Sequence, residues 1–168
     1  MKKFIKKGIL TLMACFTLVI CGCSCFNKTK TYSAHGMSIT MSDDFYEKNL
    51  VSATYYLESS DSIMIAIKEE FQEVLPESTT IEEYTDMVLE NNYLNTNINS
   101  RANEEYKYFT YEKTVSGKEF FYLATTHKTA DAFWLIQFAC VEDDKDDFED
   151  KFLEWADSIT FDANSEEN

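Results

Sequence analysis

The sequence predicts an α+β domain: an antiparallel sheet with helices packed on its faces. Three observations carry that reading. The elements run in the order strands, helix, a meander of strands, helix, which is the order of an antiparallel sheet with added helices. Ala132–Val141 is apolar on both faces: Ala132, Trp134, Ile136, Phe138 and Cys140 point one way, and Phe133, Leu135, Ala139 and Val141 the other. Such a strand is central and covered on both sides. Phe148, Phe152, Trp155 and Ile159 then advance by four, three and four, which is the stripe of an amphipathic helix.

Each element follows from local chemistry. Met37–Met41 alternates apolar and polar, as a half-buried strand does. Ala53–Leu57 and Ser62–Lys68 read as two strands joined by the polar turn Glu58–Asp61. In the second of them Ile63, Ile65 and Ile67 share one face, and Met64 and Ala66 the other. Pro76, the chain's only proline, precedes a helix start. Thr79 with Glu82, or Thr80 with Glu83, fits a capping box. The helix runs to about Asn92 and buries Ile81, Tyr84, Val88 and Leu89. Asn91–Asn103 is polar and reads as an exposed loop. Tyr106–Val115 and Phe120–Thr126 are strands joined by the hairpin turn Ser116-Gly117. Thr129–Asp131 turns again into Ala132–Val141. The last helix covers about Asp144–Ser158, Thr160-Phe161 adds an extended piece, and residues 162–168 form an acidic tail.

The N-terminus addresses the chain. Lys2, Lys3, Lys6 and Lys7 make a basic start, and Gly8–Ile20 is apolar but too short to span a bilayer comfortably. Ile20-Cys21-Gly22-Cys23 resembles the lipobox of bacterial lipoproteins: an aliphatic residue, a tolerant position, a small residue and the lipidated cysteine. The resemblance implies a signal peptide over 1–22, cleavage before Cys23 and a diacylglyceryl thioether on Cys23. Two acyl chains hold stably where one holds marginally. Residues 23–31 read as the tether, and 32–161 as the domain. The expected location is the extracytoplasmic face of a bacterial membrane, or the cell surface in a Gram-positive host.

Charge and glycine exclude function classes. The chain carries −15; loss of the leader's lysines takes it to about −19. Nucleic acid needs clustered Lys and Arg, and Arg101 is the only arginine, so no nucleic-acid partner is expected. Past the leader the only glycines are Gly36 and Gly117, so neither a dinucleotide loop, a P-loop nor a G-x-S-x-G elbow can form. Cys25 and Cys140 make no disulfide framework, and Cys140 reads as a buried thiol.

Gly36–Phe45, a short strand leading into a polar turn and an aromatic, resembles the opening of PsbP-like domains. Thr129–Phe138, followed by the Phe148–Phe152–Trp155 helix and Ser158–Phe161, resembles their end. The usual proline of the opening turn is replaced by Ser42-Asp43-Asp44. The resemblance, to the PsbP/Mog/DcrB-type superfamily, implies an α/β/α sandwich used mainly as an interaction scaffold. Its relatives include a photosystem extrinsic subunit, a nuclear Ran-binding factor and bacterial lipoproteins.

Candidate sites are few. Glu142, Asp143, Asp144, Asp146 and Asp147 form the densest acidic run. Carboxylates bind cations, yet this run starts the last helix, where acids complement the dipole and Asp143 or Asp144 can cap. His35 and His127 have no metal-ligand spacing; with a nucleophile they would be the residues of an envelope hydrolase. Tyr55, Tyr56, Tyr106, Tyr108 and Tyr122 would make a binding surface if clustered and exposed; scattered, they pack. The expectation is a non-enzymatic binding or accessory module, with no cofactor besides the lipid. It would dock an envelope protein or small ligand through the sheet, the Asn91–Asn103 loop or exposed tyrosines. The alternative is low-affinity cation binding by the acidic run.

Overall fold

A computed structural model describes residues 28–71, 75–101 and 105–162. Among these the elements are β1 (Thr29–Ala34), β2 (Met37–Ser42), β3 (Tyr46–Glu47), β4 (Tyr55–Glu58), β5 (Ser62–Glu70), α1 (Ile81–Asn91), β6 (Asn99–Ser100), β7 (Lys107–Val115), β8 (Lys118–Lys128), β9 (Ala132–Val141), α2 (Lys145–Asp157) and β10 (Thr160–Phe161). A short 3-10 turn, Glu142–Asp144, leads into α2.

The main sheet has seven strands in the order β3-β4-β5-β9-β8-β7-β6, with every neighbouring pair antiparallel. A second sheet has the order β1-β2-β10. One face of the main sheet presents Met64, Ala66, Phe121, Leu123, Trp134, Ile136 and Phe138 to α2 and to the small sheet. The other presents Ile63, Ile65, Tyr122, Ala124, Phe133 and Leu135 to α1. β9 lies between β5 and β8 and is covered on both faces, as its two-sided apolar pattern requires. The expected α+β class and the two-sided cover are both found.

The two helices start differently. Thr80 and Glu83 close a capping box: the Thr80 Oγ1 accepts from the Glu83 N–H at 3.2 Å, and a Glu83 carboxylate oxygen accepts from the Thr80 N–H at 2.8 Å. No side chain caps α2 or the 3-10 turn before it, so the capping expected of Asp143 or Asp144 is not formed. The 3-10 turn accounts for this. It places Asp144 in a helical-type bend, where its side chain does not reach the next free N–H groups.

Three further corrections concern bounds and burial. Thr29–Thr31, expected within the 23–31 tether, pair with Thr40–Ser42 as part of β1, and residues 23–27 lie outside the described residues. β1 hides from a sequence reading because Tyr32 is its only buried residue, so no apolar alternation marks it. The Asn91–Asn103 stretch contains the edge strand β6. In α1 Ile81 is half-buried and Thr85 takes the buried place, bonded to Thr126 at 2.7 Å. Both tight hairpins use a left-handed pair, His35-Gly36 and Ser116-Gly117, the geometry that matches strand twist.

Candidate functional site

The site lies at the end of the sheet where β8 leaves and β9 enters. There α2 finishes and β10 returns along β2. A cleft of about 460 Å³ is lined by Glu105, Tyr106, His127–Asp131, Ala156, Asp157 and Ile159–Asp162. A larger hollow of about 550 Å³ under the Asn49–Thr54 loop is lined without one ionisable side chain. Of these two, it is the first in which polar groups converge.

His127 forms the floor. Strand alternation puts it on the α2 face with Thr125, and only 5% of it is exposed. Its ring packs against Tyr106 and Phe161, with centroids 5.1 and 5.3 Å away. Burial drives its pKa down to about 3, so the imidazole is neutral at any physiological pH. Nε2 meets the Thr125 hydroxyl at 3.0 Å.

The rim is a three-residue network. The Tyr106 hydroxyl donates to Asp157 Oδ1 at 2.6 Å, and Arg101 grips the same carboxylate through Nε at 3.0 Å and through Nη2. Burial pushes the Asp157 carboxyl up, but the Arg101 and Tyr106 hydrogen bonds outweigh it and hold the group below its ordinary value. The same burial and the bond to Asp157 raise the Tyr106 pKa, so its proton stays in place. On the opposite side Asp131 accepts from Lys68 at 2.6 Å and from the Thr129 hydroxyl at 2.8 Å. Lys128 turns its ammonium away, donating to the Glu77 and Thr79 carbonyls at 2.6 and 2.9 Å.

The residues singled out from sequence fall in different places. Cys23 and Cys25 lie outside the described residues. Cys140 is buried, and burial pushes its thiol up to about 12. His35 sits in the β1–β2 turn with its ring against Tyr55. Glu142, Asp143, Asp144, Asp146 and Asp147 are not gathered; among the described residues no three His, Cys, Asp or Glu side chains come together to hold a metal ion. Tyr55, Tyr106 and Tyr122 are buried, and Tyr56 and Tyr108 half-buried, so the five make no exposed patch. Asp157, Phe161 and the pairing of Arg101 escaped sequence reasoning. Asp157 lies 56 residues from Arg101 and 51 from Tyr106, so no local pattern joins them.

No family model and no curated protein matches the sequence. Solved structures do. The solution structure of cyanobacterial PsbP (CyanoP) from Synechocystis sp. PCC 6803 matches with a TM-score of 0.59 at 14% identity, over 86% of this chain and 98% of that one. The fold is PsbP-like. A crystal structure from Bacteroides thetaiotaomicron matches this PsbP-like chain with a TM-score of 0.56 at 12% identity, over 83% of this chain and 50% of that one. LpqN of Mycobacterium tuberculosis, described as involved in cell envelope biogenesis, matches with a TM-score of 0.53 at 9% identity, over 81% of this chain and 91% of that one. The PsbP-like architecture expected from Gly36–Phe45 and Thr129–Phe161 is thereby found.

Proposed function

We propose that this chain is a lipid-anchored, extracytoplasmic accessory module that binds and does not catalyse. One observation carries the reading: Asp131, His127 and Asp157 are held by fixed partners, and only Asp162 at the mouth presents an exposed carboxylate without a side-chain bond among the groups described above. Asp157 is held by Arg101 and Tyr106, Asp131 by Lys68 and Thr129, and His127 is pinned neutral. A general acid or base needs a pKa near the working pH; His127 is displaced downward from that range, and Asp157 is held below its ordinary carboxylate value. A committed, rigid polar rim suits recognition.

The N-terminus supports the anchor and orients the cleft. Between Cys23 and β1 lie only Ser24–Lys28, a span reaching at most about 18 Å. β1 then carries the chain about 17–20 Å further to the His35-Gly36 turn. There the Asp162 N–H donates to the Gly36 carbonyl at 2.9 Å, beside the cleft. An anchor on Cys23 therefore leaves the cleft at the membrane-distal end, open to solutes and partners of the envelope.

Metabolic labelling with palmitate tests the anchor, and crosslinking of the labelled chain in cells tests the accessory role. Label on the wild type and none on Cys23→Ala is the expected result. Equal label on both, or a wild-type chain found wholly in the soluble fraction, would overturn the anchoring.

A further inference from the structure

Around His127 the cleft offers hydrogen-bond acceptors, and among the described lining residues the uncommitted side-chain donor is the exposed Thr160 hydroxyl. Thr125 is fully buried; its hydroxyl lies 3.0 Å from His127 Nε2 and 3.5 Å from the Ile136 carbonyl. A threonine hydroxyl has one proton to give. Both contacts are used when that proton goes to the Ile136 carbonyl and Nε2–H donates to the hydroxyl oxygen. His127 Nδ1 is then an unprotonated acceptor. Among the described residues Nδ1 has no hydrogen-bond partner, and His127 lines the cleft. Tyr106 spends its proton on Asp157 and so turns only oxygen lone pairs outward. The Asp162 carboxylate is exposed at the mouth. The cations nearby are occupied: Arg101 by Asp157, Lys68 by Asp131, and Lys128 by two carbonyls at the start of α1. The rings of Tyr106 and Phe161 flank His127.

We propose that this cleft binds a small organic cation through a primary ammonium, seated on His127 Nδ1 between the Tyr106 and Phe161 rings. The proposal rests on the reading of the chain as a binding module. An ammonium has three donors and no acceptor, the complement of a cleft that offers acceptors. Aromatic faces attract a cation and do nothing comparable for an alcohol. A sugar or polyol with several hydroxyls also needs several donors, and beyond the Thr160 hydroxyl the described side-chain donors are engaged. An anion meets the field of a chain carrying −15. The volume suits a small molecule, since such pockets run about 300–1,000 Å³.

The test is titration of the full chain, in detergent micelles and with ¹⁵N-labelled histidine, with 1,5-diaminopentane. Its uncharged isostere 1,5-pentanediol is the control. The diamine is expected to shift the His127 imidazole resonances saturably, with the diol at least about tenfold weaker. His127→Phe keeps the ring and removes the acceptor, so saturable diamine binding disappears. Should that variant not fold, Asp162→Asn, altered only at an exposed side chain, weakens diamine binding about threefold and leaves the diol unchanged. A diol as effective as the diamine, or a diamine that leaves His127 unmoved, overturns the proposal and leaves palmitate labelling of Cys23 untouched. A diamine recovered chemically altered overturns the non-catalytic reading instead.

Discussion

The acidic run Glu142–Asp147 and the cleft around His127 lie at opposite ends of β9, one after Val141 and the other before Ala132. The run is the densest charge in the sequence. Yet its side chains cap nothing, and they gather with no others as a metal site among the described residues. The cleft has no sequence density at all. It is assembled from the approach to β7, the β8–β9 turn, the end of α2 and β10, and its groups meet with directed hydrogen bonds, buried at His127 and part-buried at Tyr106. Local charge density therefore says little about a site. Solvated neighbours repel and diverge, whereas distant groups brought together by packing are desolvated and fixed.

The largest effect expected from that contrast is acid instability at the cleft. The folded pKa of His127 lies near 3 against an ordinary 6.5. As pH falls below 6.5 the unfolded chain takes up a proton that the folded chain refuses, so stability is lost down to pH 3 and is unaffected above about pH 7. The loss from this group amounts to about 4 kcal/mol at pH 3. Urea unfolding from pH 7 to pH 4 should show a steep loss for the wild type and a shallower one for His127→Gln. Parallel losses would remove His127 from the account.

Next in size, Phe161→Ala strips a half-buried ring from between His127 and Trp134 and should cost about 2 kcal/mol, read as a lowered thermal midpoint. Asp157→Asn leaves Arg101 and the buried Tyr106 hydroxyl with a neutral amide. A loss of about 1 kcal/mol is expected by denaturant unfolding, and no change would mean that the network is not formed in solution. The two helix starts make the finest comparison. Thr80→Ala breaks a formed capping box and should cost about 1 kcal/mol. Asp144→Ala at the uncapped start of α2 should stay within about 0.5 kcal/mol, with no calcium-dependent thermal shift. A calcium shift abolished by Asp143→Asn/Asp144→Asn would reinstate the run as a cation site.

Most of the sheet was legible because its pattern is local. Ala132–Val141 declared itself a central strand by burying both faces, and Ser116-Gly117 declared a hairpin by its turn chemistry. β1 was not legible, since an edge strand with one buried residue carries no alternation. The start of α2 misled because acids near a helix N-terminus satisfy the dipole by position alone, with or without a side-chain bond.

The amino-acid sequence by itself determined the class of the fold, the strand meander and the two helices. Each of those is written in periodicity or turn residues. Tertiary structure alone decided that Asp157 meets Arg101 and Tyr106, that His127 is buried beneath a cleft, and that the acidic run gathers into no metal site among the described residues. Those facts depend on contacts between residues far apart in the chain. Such contacts form because packing two layers onto a two-faced sheet forces them, and no local interaction prefigures them.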